Sequence, residues 1–535
     1  MTTLLDVLER RAKQTPQKTA FTFYKETPCT YGDLWQGIQR TASYFLEQGL
    51  KAGSPVIIAV PNSREFFHMF YGVQRAGGIA VPVFPGSGAA RLLKLAELCA
   101  AAFLVIPETY PQVKVTELKQ GATSMGLRVL FAGEAVPCMQ SQAFSRIRPD
   151  DISFIQFTSG SVGNPKGVKV THANVLTNIE QMIAGMAITG KDVFVNWLPV
   201  YHDMGLILMT MVPFYLGIPL VLLPTGLNHL KGWLQAVQEY GGTFTAAPDF
   251  AYRLCLVYIR DPENYDLSSL RVALNAAEPV RARTIERFEE TFRLRRVMLP
   301  AYGLAEATVG VCAWKPGEKI KTDPRGFVSV GKPFPGVDMQ VVRDIAGKSA
   351  VPAATGETGE ILVKSEAGTS GYFNNPKATK ELFGKGGYIR TGDLGYVDAE
   401  GDFFIVGRKK NIIIQGGYNI AAREVEEWVD ELSFVRRSAA VGIDRGNTEG
   451  EQVYIFIEVK PGRSQMHQGE VFTGLTVEVV QRFHSAFGFR PGRVYLLKPH
   501  AIPITYNGKI KYLQLKEEYV SGSLRKKGLV LFPEY

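Results

Sequence analysis

The first four hundred residues alternate between short apolar runs and longer amphipathic runs. SPVIIAVPN (54–62), IAVPVFP (79–85) and AAFLVIP (101–107) have strand-like lengths and are almost wholly apolar, whereas EFFHMFYGVQRAG (65–77) repeats its apolar side chains at helical spacing. The same alternation recurs in KGWLQAVQEYG followed by TFTAAP, and in RVALNAAEP followed by VRARTIERFEETF. Apolar strands separated by amphipathic helices predict a layered α/β fold with largely parallel sheets.

The pattern becomes shorter and more regular in the last third of the chain. From about Gly336, the segments GVDMQVVRD, GEILVKS and DFFIVGR alternate polar and apolar positions between glycine turns, which predicts a small β-rich subdomain. After Lys410, AREVEEWVDEL is typical of a helix, and SAAVGID and QVYIFIEVK are typical of strands. We therefore predict a large N-terminal domain, residues 1–409, of layered α/β subdomains plus the β-rich part. A smaller C-terminal α/β domain, residues 410–535, follows it.

One segment imitates a membrane span. No charged residue occurs from Met204 to Asn228, and LILMTMVPFYLGIPLVLLP within it is long enough to cross a bilayer. Pro213, Gly217 and Pro219 interrupt the run, and they favour a helix of about ten residues, a turn and then a strand. The sequence thus predicts a buried core segment and no transmembrane segment.

Composition and charge narrow the class of protein. The chain has 535 residues, of which 46% are hydrophobic and 21% charged, and its formal net charge is +9. Such a mildly basic surface is either simply solvated or attractive to acidic partners such as nucleotides and acidic carrier proteins. No basic run with interleaved aromatic residues indicates a nucleic-acid site.

The cysteines and the N-terminus indicate a cytoplasmic protein. The first residues predict an amphipathic helix without the long apolar region of a signal peptide. The cysteines are odd in number, widely spaced and lack any CxxC or metal-ligand spacing, so we expect reduced thiols: Cys29, Cys99, Cys138, Cys255 and Cys312.

A loop rich in hydroxyl residues and glycine follows an apolar strand in ISFIQFTSGSVGNPKG (152–167). Such a loop is able to turn several backbone N–H groups and hydroxyls toward one anion, and the lysine at its end adds a positive charge. It is not the GxxxxGK[ST] pattern of P-loop NTPases. An ordinary surface loop is the alternative interpretation. The candidate phosphate-binding residues are Thr158, Ser159, Gly160, Ser161, Gly163, Lys166 and Gly167.

The segment TSGSVGNPKG resembles the signature loop of the adenylate-forming superfamily. That superfamily includes acyl-CoA synthetases, fatty acyl-AMP ligases, adenylation domains of peptide synthetases, and luciferases. The family usually has threonine where this chain has Ser161. Either hydroxyl is able to donate to a phosphate, so the resemblance still implies a phosphate site.

Further matches follow in the family's order, and each implies a role. NWLPVYHDMGL (196–206) resembles the acyl-site motif, which puts His202 near the reacting carboxyl group. PAYGLAEAT (300–308) resembles the motif in which Tyr302 stacks on adenine and Glu306 holds Mg²⁺. LNAAEPV (274–280) is similar to the segment that lines adenine. By this resemblance, the nucleotide-binding residues also include Ala276, Ala277, Glu278, Pro279, Ala301, Gly303 and Leu304.

The last motifs lie on either side of the predicted domain boundary. YIRTGDLGYV (388–397) resembles the segment whose aspartate, here Asp393, accepts hydrogen bonds from the ribose hydroxyls. FIVGRKKNIII (404–414) supplies Arg408 for ribose or phosphate, and Lys410 falls at the family's hinge position. PITYNGKIKY (503–512) resembles the loop that bears the catalytic lysine, here Lys509. Thr158, His202, Glu306 and Lys509 are therefore the expected catalytic residues.

The resemblance implies a two-step reaction that uses ATP and Mg²⁺. A carboxylate attacks the α-phosphate to give acyl-AMP and pyrophosphate, and Lys509 stabilises the charge on the transition state. The C-terminal domain then turns about Lys410, and a thiol of CoA or of a phosphopantetheine on an acyl carrier protein takes the acyl group. Such enzymes serve fatty acid metabolism, or polyketide and lipopeptide biosynthesis.

The acceptor stays open at the level of sequence. The front half resembles fatty acyl-AMP ligases, yet the segment that those enzymes usually insert after Thr308 is absent or reduced. IIIQGGYNIAAREVEE (412–427) is more like acyl-CoA synthetases, whose Gly-Gly turn, here Gly416 and Gly417, admits the pantetheine arm. A dedicated acyl-CoA synthetase and a luciferase-like oxygenase remain the alternatives. The acid is expected to be apolar, with Leu206–Phe214 and Phe250–Leu256 walling its pocket.

Overall fold

A computed structural model of the chain describes residues 2–135, 144, 146–158, 165–226, 229–345, 349–415, 418–444, 451–460, 468–505 and 508–533. Its contacts divide the chain into two compact units. The first comprises Met1–Lys321, Val328–Gln340 and Leu362–Thr391, and the second comprises Thr322–Phe327, Val341–Ile361 and Gly392–Tyr535. The predicted boundary at residues 409 and 410 concerns a hinge, and it stays a prediction.

The first sheet of the larger unit has six strands in the order β6-β5-β3-β4-β7-β8. All pair in parallel except β8, which returns antiparallel to β7. The elements up to this point are α1 Leu4–Gln14, β1 Thr19–Phe23, β2 Cys29–Thr30, α2 Tyr31–Glu47, β3 Pro55–Ile58, α3 Arg64–Arg75, β4 Ile79–Pro82, α4 Ala89–Cys99, β5 Phe103–Ile106, α5 Gln112–Thr123, β6 Arg128–Phe131, β7 Ile152–Thr158 and β8 Lys166–Thr171.

The second sheet of this unit runs in the order β15-β14-β13-β12-β11-β9-β10-β1-β2. Its strands from β13 to β1 are parallel, as the buried apolar runs predicted. The elements that complete it are α6 His172–Gly185, β9 Phe194–Asn196, α7 Val212–Leu216, β10 Leu220–Leu222, α8 Leu230–Tyr240, β11 Phe244–Ala247, α9 Asp249–Tyr258, β12 Val272–Asn275, α10 Ala282–Thr291, β13 Met298–Gly303, β14 Gly310–Ala313 and β15 Ser329–Pro333.

Helix α3 is apolar on most of its circumference because it packs against both sheets. Its Phe70 contacts Phe154 of β7 at a ring-centroid distance of 5.7 Å, and its Phe67 contacts Phe21 of β1 at 5.1 Å. All four rings are fully buried. Burial of such rings is worth about 1.5–3 kcal/mol each, so α3 ties the two sheets into one core.

Met204–Leu222 forms the predicted core segment. Residues Met204–Met211 are a π-helix, α7 continues it, Gly217 ends it in the left-handed region (φ 70°), and strand β10 follows. The prediction of a helix, a turn and a strand is confirmed, although the π-helical form was not predicted. In the part of the chain that the structure describes, no helix is long and apolar enough to cross a membrane.

Several short antiparallel pairs follow in the predicted β-rich segment. Within the smaller unit, Val342 pairs with Pro352, and Asp393 pairs with Arg408. The elements here are β16 Val337–Ile345, β17 Ser349–Pro352, β18 Gly359–Ser365, α11 Pro376–Leu382, β19 Ile389–Val397 and β20 Phe403–Arg408.

The end of the smaller unit is built on a four-stranded sheet in the order β23-β24-β25-β26. Alternate residues of β24 face two separate cores, with Ile455 and Ile457 in one and Tyr454 and Phe456 in the other. The elements are β21 Ile412–Gln415, β22 Tyr418–Ala421, α12 Ala422–Asp430, β23 Val435–Asp444, β24 Glu451–Val459, α13 Gln468–Phe487, β25 Arg493–Leu497, α14 Tyr512–Val520, α15 Ser523–Lys526 and β26 Val530–Phe532.

Candidate nucleotide and acyl site

Strands β7 and β8 hold the two ends of the predicted phosphate loop. Thr158 pairs with Lys166 across them, and the Thr158 hydroxyl donates to the Lys166 carbonyl at 3.4 Å. Gly167 lies so close to β7 that a Cβ there would be 2.7 Å from Cγ2 of Ile155. Four of the predicted phosphate-binding residues lie outside the described residues: Ser159, Gly160, Ser161 and Gly163.

Tyr372 joins Lys166 to Glu306. The Lys166 ammonium lies 4.9 Å from the centre of the Tyr372 ring, and the Tyr372 hydroxyl donates to Glu306 Oε1 at 2.7 Å. A cation over a tyrosine ring and a charge-assisted hydrogen bond are both favourable contacts. The structure therefore brings together two of the predicted site residues through a third that the sequence did not single out.

A strained turn supports Glu306. Thr308 is buried and has φ 73° and ψ −65°, a rare γ-turn conformation for a β-branched residue. Its hydroxyl donates to the Ala367 carbonyl at 2.6 Å, and the Thr369 N–H donates to the Glu306 carbonyl at 2.8 Å. Strain of this kind persists only where the surroundings impose it, and it clusters at functional sites.

Asn178 of α6 holds the residues after this turn. Its Oδ1 accepts the N–H groups of Val309 (3.2 Å) and Gly310 (3.0 Å), and its Nδ2 donates to the Gly310 carbonyl at 2.8 Å. The side chain is fully buried. No local pattern in the sequence marked Asn178, because Asn174 and Gln181 of the same helix are polar and buried as well.

The chemistry of Glu306 fits Mg²⁺ bound chiefly by a nucleotide. Among the described residues, no group of three or more histidine, cysteine, aspartate or glutamate side chains is able to hold a metal by itself. Mg²⁺ usually takes one or two carboxylates and completes its shell with phosphate oxygens and water. One carboxylate linked through Tyr372 to Lys166, at the end of the predicted phosphate loop, matches that requirement.

The predicted adenine segment follows β12 and is fixed by two carboxylates. Ala277 adopts a left-handed conformation (φ 68°), and the Glu278 carboxylate accepts the N–H of Phe250 at the start of α9. Burial and the neighbouring Asp249 carboxylate raise the pKa of Glu278. Asp249 is itself buried and accepts Asn275 Nδ2 at 3.1 Å. Ala276 is buried and Pro279 is exposed.

The second predicted adenine motif lies on β13. Ala301 and Tyr302 pair with Ala313 and Cys312 of β14, and both are partly exposed, as a stacking residue and its neighbour require. At Gly303 a Cβ would come within 1.7 Å of the Val309 carbonyl oxygen, so only glycine permits this approach. Leu304 is buried.

His202 lies two residues before the π-helix begins, and its side chain is oriented by its neighbour Asp203. Its Nδ1 is 2.7 Å from Asp203 Oδ1. Because a carboxylate only accepts, Nδ1 carries the proton and Nε2 faces away from Asp203. Gln156, two residues before Thr158, donates from Nε2 to the Tyr201 carbonyl at 3.2 Å. The strand before the predicted phosphate loop is thus bonded directly to the predicted acyl motif.

The remaining predicted residues lie in the smaller unit. Arg408 Nε is 2.6 Å from Asp393 Oδ1. The pKa of Lys410 is lowered, first by partial desolvation and then by the Arg408 guanidinium, while Asp393 opposes the shift. Lys509 is exposed near the end of a narrow loop. The predicted acceptor residues Gly416 and Gly417 lie outside the described residues.

The comparison with known families gives a direct match. The sequence profile of the family described as AMP-binding enzyme matches residues 8–373, well over half of the chain. This chain belongs to the AMP-binding enzyme family. The predicted superfamily, the α/β fold with a smaller C-terminal domain, and nucleotide binding are confirmed. The roles assigned to single residues stay predictions.

Relatives of this AMP-binding enzyme are named as fatty-acid ligases. It is 28% identical to the medium-chain-fatty-acid–[acyl-carrier-protein] ligase JamA of Moorena producens, over 98% of this chain and 96% of JamA. It is also 28% identical to the long-chain-fatty-acid–AMP ligase FadD28 of Mycobacterium tuberculosis, over 95% and 96% of the two chains. The prediction of an AMP-forming ligase is thus confirmed at the level of the family.

A solved structure supports the same relationship. A structure from a study of fatty acyl-adenylate ligases of E. coli and L. pneumophila is 27% identical to this enzyme, and the TM-score is 0.86. The match covers 98% of both chains. The shared fold therefore extends over both units of the chain.

Proposed function

We propose that this enzyme activates a fatty or similarly apolar carboxylic acid with ATP and transfers the acyl group to a thiol. The observation that carries the proposal is the direct linkage, within one unit, of three predicted elements. Tyr372 joins Lys166 to Glu306, and Gln156 joins the phosphate strand to the residue before His202. An anion site and an acyl motif in contact are what acid adenylation requires.

The proposed substrate follows from the residues after His202. Leu206, Ile207, Leu208 and Met209 are almost completely buried, and no charged side chain occurs from Met204 to Leu223. Tyr252 and Cys255 of α9 are buried as well. These apolar surfaces suit an aliphatic chain, as do the names of the relatives JamA and FadD28.

In the proposed first step, a carboxylate oxygen forms a bond to the α-phosphorus, and the bond to pyrophosphate breaks. Lys166 and the N–H groups of its loop bind phosphate oxygens, and Lys509 stabilises charge between carboxylate and phosphate. His202, oriented by Asp203, positions the acid. Mg²⁺, held by Glu306, would neutralise phosphate charge when bound.

In the proposed second step, a thiolate attacks the acyl carbonyl and AMP leaves. We infer that a carrier-protein phosphopantetheine or CoA supplies the thiol, after a rotation of the C-terminal domain about Lys410. The reaction is expected in the cytoplasm, where ATP and reduced thiols are abundant.

The alternative of a dedicated acyl-CoA synthetase has one observation in its favour. The alignment with JamA runs over 576 positions, more than the 535 residues of this chain, so JamA carries segments that this enzyme lacks. Such a difference is expected if the insertion typical of fatty acyl-AMP ligases is absent or reduced in this chain.

Product analysis tests the proposal and separates the two acceptors. The purified protein is incubated with ATP, Mg²⁺ and saturated acids of graded chain length, with CoA, with a phosphopantetheine-loaded carrier protein, or with neither. Mass spectrometry should detect acyl-AMP in every case and an acyl thioester with one acceptor. Acyl-CoA as the main product would establish the acyl-CoA synthetase alternative, and no acyl-AMP with any acid would refute the proposed function.

A further inference from the structure

Lys509, the proposed adenylation lysine, lies on a narrow loop. The two arms of the loop, which come before and after it in the chain, are hydrogen-bonded to each other through residues 504–505 and 509–510. The Thr505 N–H donates to the Lys509 carbonyl at 2.8 Å, and the Lys509 N–H donates to Thr505 Oγ1 at 3.0 Å. Ile504 faces Ile510 in an antiparallel bridge. Because the arms are bonded to each other, the position of Lys509 depends on what holds the base of the loop.

A fully buried carboxylate, paired with a partly exposed arginine, holds the first arm. Glu458 of β24 has no exposed surface; its Oε1 accepts the Ile502 N–H at 2.8 Å, and its other oxygen is paired with Arg436 of β23. Arg436 also contacts Nδ1 of His500 at 3.2 Å. A buried carboxylate is tolerated only with such partners, so the entry to the loop is fixed to strands β23 and β24 of the sheet.

A second buried glutamate holds the other arm. The Tyr512 hydroxyl donates to Glu426 Oε2 at 2.9 Å, and Glu426 Oε1 accepts the Ala440 N–H of β23 at 2.9 Å. Glu426 is buried on α12. Burial and the Glu426 carboxylate raise the pKa of Tyr512 well above its usual value, so the hydroxyl keeps its proton and stays a donor. Tyr512 follows Lys509 by only three positions and begins α14.

We propose that Tyr512 and Glu426, which hold the arm of the loop after Lys509, are positioning residues that orient this lysine for adenylation. Glu458 holds the arm before it. The inference rests on the proposed function of Lys509. Lysine has a long flexible stem and a point charge, so the backbone beneath it sets how often the ammonium reaches the reacting phosphate. Displacement of a catalytic group by about 1 Å lowers the rate roughly a hundredfold, so a rigidly held loop should keep the adenylation rate high.

The variant Tyr512→Phe tests the proposal because it removes one hydroxyl and keeps the ring. Adenylation is followed by dodecanoate-dependent exchange between ATP and pyrophosphate. Thiol transfer is followed from synthetic dodecanoyl-AMP to whichever acceptor the wild-type enzyme uses. We expect kcat for exchange to fall about tenfold or more, with KM for ATP and the rate of thiol transfer changed by less than about twofold.

Matched variants distinguish a positioning role of Tyr512 from a general loss of structure. Tyr519→Phe removes a hydroxyl from the same helix, where it contacts only the Tyr495 hydroxyl among the bonds described, and should change neither half-reaction. Glu426→Gln removes the charge and weakens the bond to Tyr512 without abolishing it, so it should cause a smaller loss that is equally selective for adenylation. In a Lys509→Ala background, Tyr512→Phe should cause no further loss, because residues that act as one unit are not additive.

The outcomes distinguish this inference from the proposed function. A selective loss of adenylation in Tyr512→Phe and Glu426→Gln supports the inference. Unchanged exchange in both variants, or an equal loss of both half-reactions, overturns it while the wild-type activity stands. Absence of acyl-AMP formation by the wild-type enzyme overturns the proposed function and the inference together.

Discussion

Arg408 and Asp393 face each other across strands β19 and β20, with Arg408 Nε 2.6 Å from Asp393 Oδ1. The carboxylate is only 6% exposed, whereas the guanidinium is 51% exposed. The guanidinium therefore fixes a buried acceptor and remains open to solvent itself. The predicted ribose role would use both groups, because ribose hydroxyls donate to an acceptor and the phosphates of a nucleotide attract a cation.

Asp393→Asn should weaken ATP binding with little change in kcat. The amide neutralises the partner of Arg408 and offers one acceptor oxygen in place of two. Hydrogen bonds to a charged group are worth about 1.5–3 kcal/mol, so KM for ATP should rise roughly tenfold to a hundredfold. Steady-state exchange of pyrophosphate at varied ATP measures this.

Asp398→Asn is the matched control for that variant. The Asp398 carboxylate accepts the N–H groups of Glu400 and Asp402 in the turn after β19, so it has a structural role. Its KM for ATP should equal that of the wild type. If the two variants behave alike, Asp393 is not a ribose ligand.

Tyr372→Phe should raise the Mg²⁺ concentration that half-activates the enzyme. The ring beneath Lys166 remains, while Glu306 loses the hydroxyl that holds Oε1. Net loss of a hydrogen bond to a charged group predicts at least about a fivefold shift in half-saturating Mg²⁺. Calorimetric titration of Mn²⁺·ATP against metal-free ATP should show the same loss for the metal complex alone.

Tyr388→Phe provides the control for Tyr372. The Tyr388 hydroxyl also donates to a carboxylate, that of Asp338, but on an exposed surface. Its Mg²⁺ dependence should match the wild type. Equal affinity of the Tyr372→Phe enzyme and the wild type for the metal complex would show that Tyr372 does not orient Glu306.

His172 should destabilise the enzyme in mild acid. It begins α6 and is 3% exposed, and burial lowers its pKa to about 4, against the opposing effect of Asp151 and Asp6. Below its usual pKa of 6.5 the unfolded chain binds a proton that the folded chain does not, so stability falls as the pH falls from 6.5 toward 4. At pH 5 the loss attributable to this group is about 2 kcal/mol.

Urea unfolding of the wild type and of His172→Gln at pH 7 and pH 5 measures that loss. Glutamine does not titrate, so the variant should lose less stability between the two values than the wild type. An identical pH dependence in both proteins would mean that His172 is protonated at little cost in the folded state.

Thr210→Val should destabilise the π-helix. The buried Thr210 hydroxyl donates to the Gly205 carbonyl at 2.8 Å and lies 3.3 Å from Asn196 Nδ2. Valine keeps the shape and removes both bonds of the hydroxyl, at a net cost of about 0.5–1.5 kcal/mol for each, while Asn196 Nδ2 and the Gly205 carbonyl stay bonded to each other. Thr116→Val removes a similar hydroxyl bond, to the Gln112 carbonyl, from an exposed helix and should cost far less. Equal urea midpoints for the two variants would argue against this role of Thr210.

The sequence predicted those parts of the fold that depend on local pattern. Apolar runs such as Pro55–Ile58 and Ile79–Pro82 became parallel strands, and Gly217 ended the helix in the long apolar segment, whereas Pro213 was accommodated in the first turn of α7. The π-helix at Met204–Met211 was not predictable, because it depends on the Asn196 and Thr210 side chains bonding to Gly205 after folding.

The candidate site was predicted wherever a motif lies in one continuous segment. Lys166 and Glu306 were found that way. Tyr372 was missed because its partner Glu306 is 66 positions away in the chain, and Asn178 was missed because its partner Val309 is 131 positions away. Their partners are set by the return of residues 365–373 beside β8 and by the packing of α6. Contacts of that kind carry no local sequence signal.

The most direct test of the account is dodecanoate-dependent exchange of radiolabelled pyrophosphate into ATP by the purified enzyme. We predict exchange that requires the acid and Mg²⁺, that vanishes in Lys509→Ala, and that is accompanied by dodecanoyl-AMP in the mass spectrum. Absence of exchange with saturated acids of every chain length, while ATP still binds, would contradict the claim that this enzyme activates apolar carboxylic acids.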